Sequence, residues 1–326
     1  MLALAVTFCS LAAVIVVAGV LLARCSDTLA ETTGMGRSMA GLILLAGATS
    51  LPELSVGWSA VRLGAYDLTL GGLIGSSLLN LLILAILDLT TRTRGTMLSK
   101  LAAAHALSAI ASIILTAVAV FFILLEIEVV FLRLGLGSWC LIAAYLLTLR
   151  LIFVDQHYTA ALTATEPTVP PMSMKKAAAG YLVAASAIFM AGPALASSAE
   201  SLAEQTGLGA TFFGTVFVAL ITSLPEAVTT FAAIRLGTVD MAVGNILGSN
   251  SFNIAMLGVI DLATPVSLLS SVSPTHAITG ISAILVTAVV VAGLLYRAEK
   301  RWWLLEPDAL LVVLLVLGSL FAVYGR

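Results

Sequence analysis

Long apolar runs separated by short polar breaks set the pattern of this chain. A helix rises about 1.5 Å per residue, so about 20 apolar residues cross the hydrocarbon core of a bilayer. That rule predicts spans at about 2–23, 36–61, 68–90, 102–125 and 130–153 in the first half. In the second half it predicts about 176–196, 209–235, 241–263, 276–296 and 304–324. The first run follows Met1-Leu2-Ala3 with no basic residue ahead of it, so it reads as a retained helix and not as a cleaved signal.

The pattern occurs twice. Sliding the chain against itself by 173 residues aligns Asp27–Thr91 with Glu200–Thr264, and 26 of the 65 pairs are identical without a gap. Arg62/Arg235, Gly64/Gly237, Asp67/Asp240, Gly75/Gly248 and Asp88/Asp261 all match. The expected domains are a first repeat over residues 1–153, a connector over 154–174 and a second repeat over 175–326. An odd number of spans per repeat makes the second copy enter the membrane from the opposite side. The expected fold class is therefore an all-α integral membrane protein, with ten transmembrane helices as two inverted five-helix repeats.

Composition supports the bilayer and removes other classes. Of the 326 residues, 60% are hydrophobic and 10% charged, whereas soluble domains carry about 25% charged residues. Mean hydropathy is +1.13. No basic stripe exists to neutralise phosphates, so nucleic acid is not an expected partner. Cys9, Cys25 and Cys140 lack metal-ligand or redox spacing and read as small packing residues.

The basic residues fix an expected orientation. With the N-terminus outside, the inner loops hold Arg24, Arg37, Arg92, Arg94, Lys100, Arg150, Lys175, Lys176, Arg235, Arg297, Lys300 and Arg301. The outer side holds Arg62 and Arg326, with Arg133 open to either assignment. This positive-inside bias predicts a multi-pass protein of the cell (inner) membrane with both termini outside. The connector carries Glu166-Pro167 and Pro170-Pro171, which prevent a continuous helix, and is too short for a folded regulatory domain. Trp58, Trp139, Trp302 and Trp303 fall near span ends, as interfacial aromatics do.

Candidate chemistry lies in the repeat. Thr49-Ser50-Leu51-Pro52-Glu53 recurs as Thr222-Ser223-Leu224-Pro225-Glu226, each copy in the middle of a long apolar run. Intramembrane carboxylates are costly and mark functional sites. Each proline lacks an N–H and clashes with the carbonyl four residues back, which predicts loosened backbone near Ala48 and Ile221. Freed carbonyls, hydroxyls and a carboxylate make an oxygen-only cluster, which suits hard cations such as Ca²⁺ and Na⁺. The bland alternative is a kink with back-bonded hydroxyls and a protonated acid in a bundle contact. Two copies, each with the acid directly after proline, favour the site.

A second element, Gly71-Gly72-Leu73-Ile74-Gly75-Ser76-Ser77-Leu78-Leu79-Asn80, is matched by Gly244-Asn245-Ile246-Leu247-Gly248-Ser249-Asn250-Ser251-Phe252-Asn253. Ser76 and Asn80 share one helix face, as do Ser249 and Asn253. Small residues and amides there serve either ligation or helix–helix packing. No lysine or arginine accompanies the two glutamates, so a pair of ionised acids needs a cation or protons. Glu126, Glu128, Glu200 and Glu204 read as solvated loop charge, while Asp88 and Asp261 sit at helix ends, where they cap or gate. His105, His157 and His276 are not paired by the repeat, and no nucleophile–base or phosphate-cradling constellation appears, so no enzyme is expected.

These motifs resemble the repeats of the cation/calcium exchanger superfamily, particularly its prokaryotic sodium/calcium exchangers, over nearly the whole chain. The resemblance implies ten helices with inverted repeats. It implies that Glu53 and Glu226 are the central Ca²⁺ ligands, shared with Na⁺. Thr49 and Thr222 would add carbonyl or hydroxyl oxygens, and Ala46 and Ala219 backbone carbonyls. Ser50, Ser223, Ser76 and Ser249 resemble flanking Na⁺ ligands, with Asn80 and Asn253 completing the centre. The chain departs from the family pattern in three ways: Ala48 and Ile221 replace the frequent Gly, Gly72 replaces Asn, and Asn253 stands where potassium-dependent members carry Asp.

The expectation is an antiporter that exchanges Na⁺ for Ca²⁺ by alternating access, extruding Ca²⁺, with transported ions and lipid as partners and no cofactor. Proton/calcium exchange on the same scaffold is the alternative, and a cation channel a further one. The oligomeric state is open, and a monomer suffices.

Overall fold

The computed structural model describes residues 2–90, 103–162, 172–206, 219–296 and 307–324. The connector prolines, Trp302, Trp303, the start of the span expected from residue 209, and Arg92, Arg94, Lys100, Arg297, Lys300, Arg301 and Arg326 lie outside those residues. Almost everything described is helical: α1 Leu2–Thr33, α2 Arg37–Thr49, α3 Leu51–Arg62, α4 Tyr66–Thr90 and α5 Ala103–Leu125. A short hairpin (β1 Val130–Phe131, β2 Leu134–Gly135) leads into α6 Leu136–Leu162. Then come α7 Met174–Gln205, α8 Leu224–Arg235, α9 Val239–Ile260, α10 His276–Tyr296 and α11 Pro307–Tyr324. Among the described residues seven helices are long and apolar enough to cross a membrane, and the bent α2–α3 pair makes an eighth crossing.

Two expectations need correcting. The span placed at 130–153 does not start as helix. Positive φ at Leu132 and Arg133 turns the chain into the hairpin, and helix begins only at Leu136. The span at 36–61 is not one straight rod, because α2 and α3 meet at Ser50 with a 43° bend. Residues 40–45 within α2 form π-helix, which also loosens its backbone.

Centre and periphery separate clearly. In their most apolar stretches 72% of α4 and 78% of α9 is buried, against 17% of α1. α9 packs on α2, α3, α4, α5, α6 and α8, and α1 lies along α7 and α8 at the rim. Exposed Val17, Leu146, Leu147, Val183, Met190, Leu314 and Phe321 give the rim an apolar face that suits lipid.

Glycines allow the backbones of α2 and α9 to touch. A Cβ on Gly248 would come within 2.6 Å of the Leu42 carbonyl, and one on Gly244 within 2.6 Å of the Ser38 carbonyl. Helices α4 and α9 run antiparallel, because Tyr66 at the start of α4 bonds Thr264 just beyond α9 at 3.1 Å. They cross at mid-length, where Asn250 donates to the Ser77 carbonyl at 3.1 Å.

The matched sequence folds alike in both copies. α3 ends at Gly64 with φ 80°, and α8 at Gly237 with φ 78°. In each, the glycine N–H and the next one close on carbonyls of the last helical turn: Gly64 to Val61 and Ala65 to Ala60, Gly237 to Ile234 and Thr238 to Ala233.

Candidate functional site

Each Thr-Ser-Leu-Pro-Glu segment breaks its helix in the same way. Ser50 has φ −88° and ψ 2°, and Ser223 has φ −84° and ψ 10°. Proline occupies the first turn of the new helix, where its missing N–H costs nothing. The loosening expected at Ala48 and Ile221 thus centres on the two serines. As a result, Glu53 and Glu226 lie in the first turn of α3 and α8, where the positive end of each helix dipole favours an anion.

The structure brings the two copies together. Ser50 Oγ donates to Glu226 Oε1 at 3.5 Å. The Thr49 hydroxyl lies within reach of the same carboxylate, of Ser249 Oγ at 3.4 Å and of the Ala46 carbonyl at 3.3 Å. Glu53 and Glu226 are close enough to repel each other electrostatically. Among the described residues neither oxygen of Glu53 has a hydrogen-bond partner, nor has Oε2 of Glu226. Three bare carboxylate oxygens in a buried pocket form a centre that calls for a cation or protons.

The remaining expected residues surround this pair unevenly. Ser76, Ser249, Asn80 and Asn253 are buried on α4 and α9, and Ala46 is buried on α2. Asn80 Nδ2 donates to Asn250 Oδ1 at 3.0 Å, whereas both polar atoms of Asn253 are unpartnered among the described residues. Thr222 and Ala219 are half-buried, and the Thr222 hydroxyl donates to the Ala219 carbonyl at 2.8 Å. Ser223 Oγ is buried without a partner among the same residues. The Ala46 and Ala219 carbonyls also accept the Ser50 and Ser223 N–H at 3.1 and 3.2 Å, so neither is a wholly free acceptor.

The roles of Asn245, His105 and His276 escaped the sequence, whereas Asp261 takes the cap role offered for it. Asn245 Nδ2 bridges the Thr229 and Thr230 hydroxyls, each at 2.9 Å, and ties α9 to α8 beside Glu226. Asp261 is a cap: its carboxylate accepts the N–H groups of Gly135 and Leu268, both at 2.6 Å, and fastens the hairpin to the chain after α9. His105 and His276 are not repeat partners, yet they lie against the repeat-matched Asp240 and Asp67 at 3.3 and 3.1 Å. These contacts clasp α5 to α9 at one end of the bundle and α10 to α4 at the other.

Sequence comparison identifies the family behind this arrangement. The profile of the sodium/calcium exchanger protein family matches residues 3–155 and 176–325. The chain belongs to that family. The inner membrane protein YrbG of Escherichia coli (strain K12) is 27% identical over 279 residues, covering 85% of this chain and 83% of YrbG. The sodium/calcium exchanger MaX1 of Methanosarcina acetivorans is 38% identical over 115 residues, 34% of this chain and 33% of that one. The solved sodium-calcium exchanger NCX_Mj has the same fold, with a TM-score of 0.72 over 98% of both chains at 18% identity. This exchanger is accordingly a helical, multi-pass membrane protein of the cation/calcium antiport family.

Proposed function

We propose that this chain is a secondary antiporter of the cell (inner) membrane that exchanges Na⁺ for Ca²⁺ by alternating access and extrudes Ca²⁺. One observation carries the reading: hydroxyls of one motif copy close on the glutamate of the other, and both acids are buried. A Ca²⁺ ion would cancel both charges and draw on the Thr, Ser and Asn oxygens around them, within the six to eight or so oxygens that Ca²⁺ takes. Several Na⁺ ions would do the same in its absence. A doubly charged empty site resists crossing a low-dielectric centre, so reorientation waits for an ion. The same cancellation limits the protein to exchange and disfavours leak.

The wider architecture follows the same reading. Ten spans in two inverted five-helix repeats explain why α4 and α9, which match in sequence, run antiparallel and cross at the matched positions Ser77 and Asn250. On this reading both termini lie outside, which the bias of basic residues in the sequence supports. The family profile matches each half in turn, and YrbG carries the inner membrane in its name.

Glu53 and Glu226 are the proposed shared Ca²⁺ and Na⁺ ligands. Thr49, Thr222, Ser50, Ser223, Ser76, Ser249, Asn80, Asn253 and the Ala46 and Ala219 carbonyls supply the rest. The bare oxygens of Glu53 also suit a proton, which keeps proton/calcium exchange as the second reading. Flux of ⁴⁵Ca²⁺ into proteoliposomes, with Na⁺ and pH gradients imposed independently, separates the two. Uptake driven by outward Na⁺ at equal pH is the expected result. Uptake driven by the pH gradient alone would transfer the assignment to protons.

A further inference from the structure

Asn250 was not among the residues expected at the site, yet it is the link between the two repeats at their crossing. It is buried on α9, four positions after Ile246 and directly after Ser249. Its Nδ2 donates to the backbone carbonyl of Ser77 at 3.1 Å, and its Oδ1 accepts from Asn80 Nδ2 at 3.0 Å. The order of these bonds is dictated chemically. A carbonyl accepts only, so the Asn250 amino group must face Ser77 and its oxygen must face Asn80. Only the Asn80 amino group can answer that oxygen. The Asn80 amide is therefore held in one orientation, and its Oδ1 is left buried with no partner among the described residues.

Among the described residues Asn253, the counterpart of Asn80, has no such clamp. The position equivalent to Asn250 is Ser77, whose hydroxyl bonds back to the Leu73 carbonyl at 3.1 Å and reaches no asparagine. Asn253, the equivalent of Asn80, has neither polar atom engaged. One asparagine is committed to presenting oxygen, while the other is free to turn.

Given the ion-exchange reading above, on which this rests, we infer that Asn250 is a positioning residue. It turns the Asn80 carbonyl oxygen toward the bound cation and prevents the amide from presenting its N–H groups instead. It acts through Asn80 and touches no ion itself.

The test uses the purified full chain in detergent, with Ca²⁺ and Na⁺ titrated separately against thermal unfolding. Asn250→Ser copies the residue that the other repeat already carries. It is expected to weaken the Ca²⁺-dependent stabilisation by about five- to tenfold in half-saturating concentration, the effect of one misoriented hydrogen-bonding group. The double variant Asn80→Ala/Asn250→Ser should bind no more weakly than Asn80→Ala alone, since both changes remove the same oxygen. Full additivity, or wild-type binding by Asn250→Ser, overturns the inference. Asn250→Ala repeats the comparison if the serine variant does not fold. If neither folds, Asn250 is a packing residue and the inference fails. A wild-type chain stabilised by neither ion overturns the exchange reading itself, a result distinct from any of these.

Discussion

Glu53 and Glu226 come from identical five-residue segments, break their helices at equivalent serines and end in equivalent glycine turns, yet their pockets differ. Glu226 is 1% exposed and is reached by the Ser50 and Thr49 hydroxyls. Glu53 is 9% exposed, and among the described residues neither of its oxygens is bonded and Ser223, the counterpart of Ser50, finds no partner for its hydroxyl. The residues next in line differ too. Asn245, Thr229 and Thr230 build a hydrogen-bonded bridge beside Glu226, while the first copy has Gly72, Val56 and Gly57. Gly72 brings no side chain to the position where Asn245 has one. Identical acids therefore have unlike hydrogen-bonding surroundings among the described residues. Under the alternating access proposed above, such inequality would set which arrangement the ion-free chain prefers.

The largest test of that difference is Asn245→Ala. It leaves the Thr229 and Thr230 hydroxyls without their bridge in a buried setting, which costs about 1–3 kcal/mol. Thermal or denaturant unfolding of the ion-free protein should show the loss. An unchanged stability would mean that the bridge does not distinguish the pockets. A smaller effect separates the two serines. Ser50→Ala removes a hydroxyl from a carboxylate and should cost about 1 kcal/mol without ions, whereas Ser223→Ala removes an unpartnered one and should cost nothing measurable. Equal losses would show that the ion-free chain treats both pockets alike.

The reach of the sequence follows the same divide between local and long-range. The apolar lengths placed the helices, the proline located the break to within two residues, and the repeat paired the two acids, because each of these is a local or periodic property. The hairpin at Val130–Gly135 was missed because its residues are as apolar as a helix start, and positive φ at Leu132 and Arg133 has no strong signal in those residue types. The His105–Asp240 and His276–Asp67 clasps were missed for another reason. Both histidines stand near the start of matched helices but are two residues out of register, so the 173-residue offset does not align them. Asn250 escaped because the offset sets it against Ser77. Nothing in one sequence reveals that those two positions meet where α4 crosses α9.

The central claim is that the two motif copies form one divalent site. Equilibrium binding of ⁴⁵Ca²⁺ to purified wild-type, Glu53→Gln and Glu226→Gln chains tests it most directly. The account predicts one Ca²⁺ per wild-type chain, and in each single variant a loss of at least about a hundredfold in affinity, as expected when one buried charge of a pair is removed. Two Ca²⁺ per chain, or either variant retaining wild-type affinity, would contradict it.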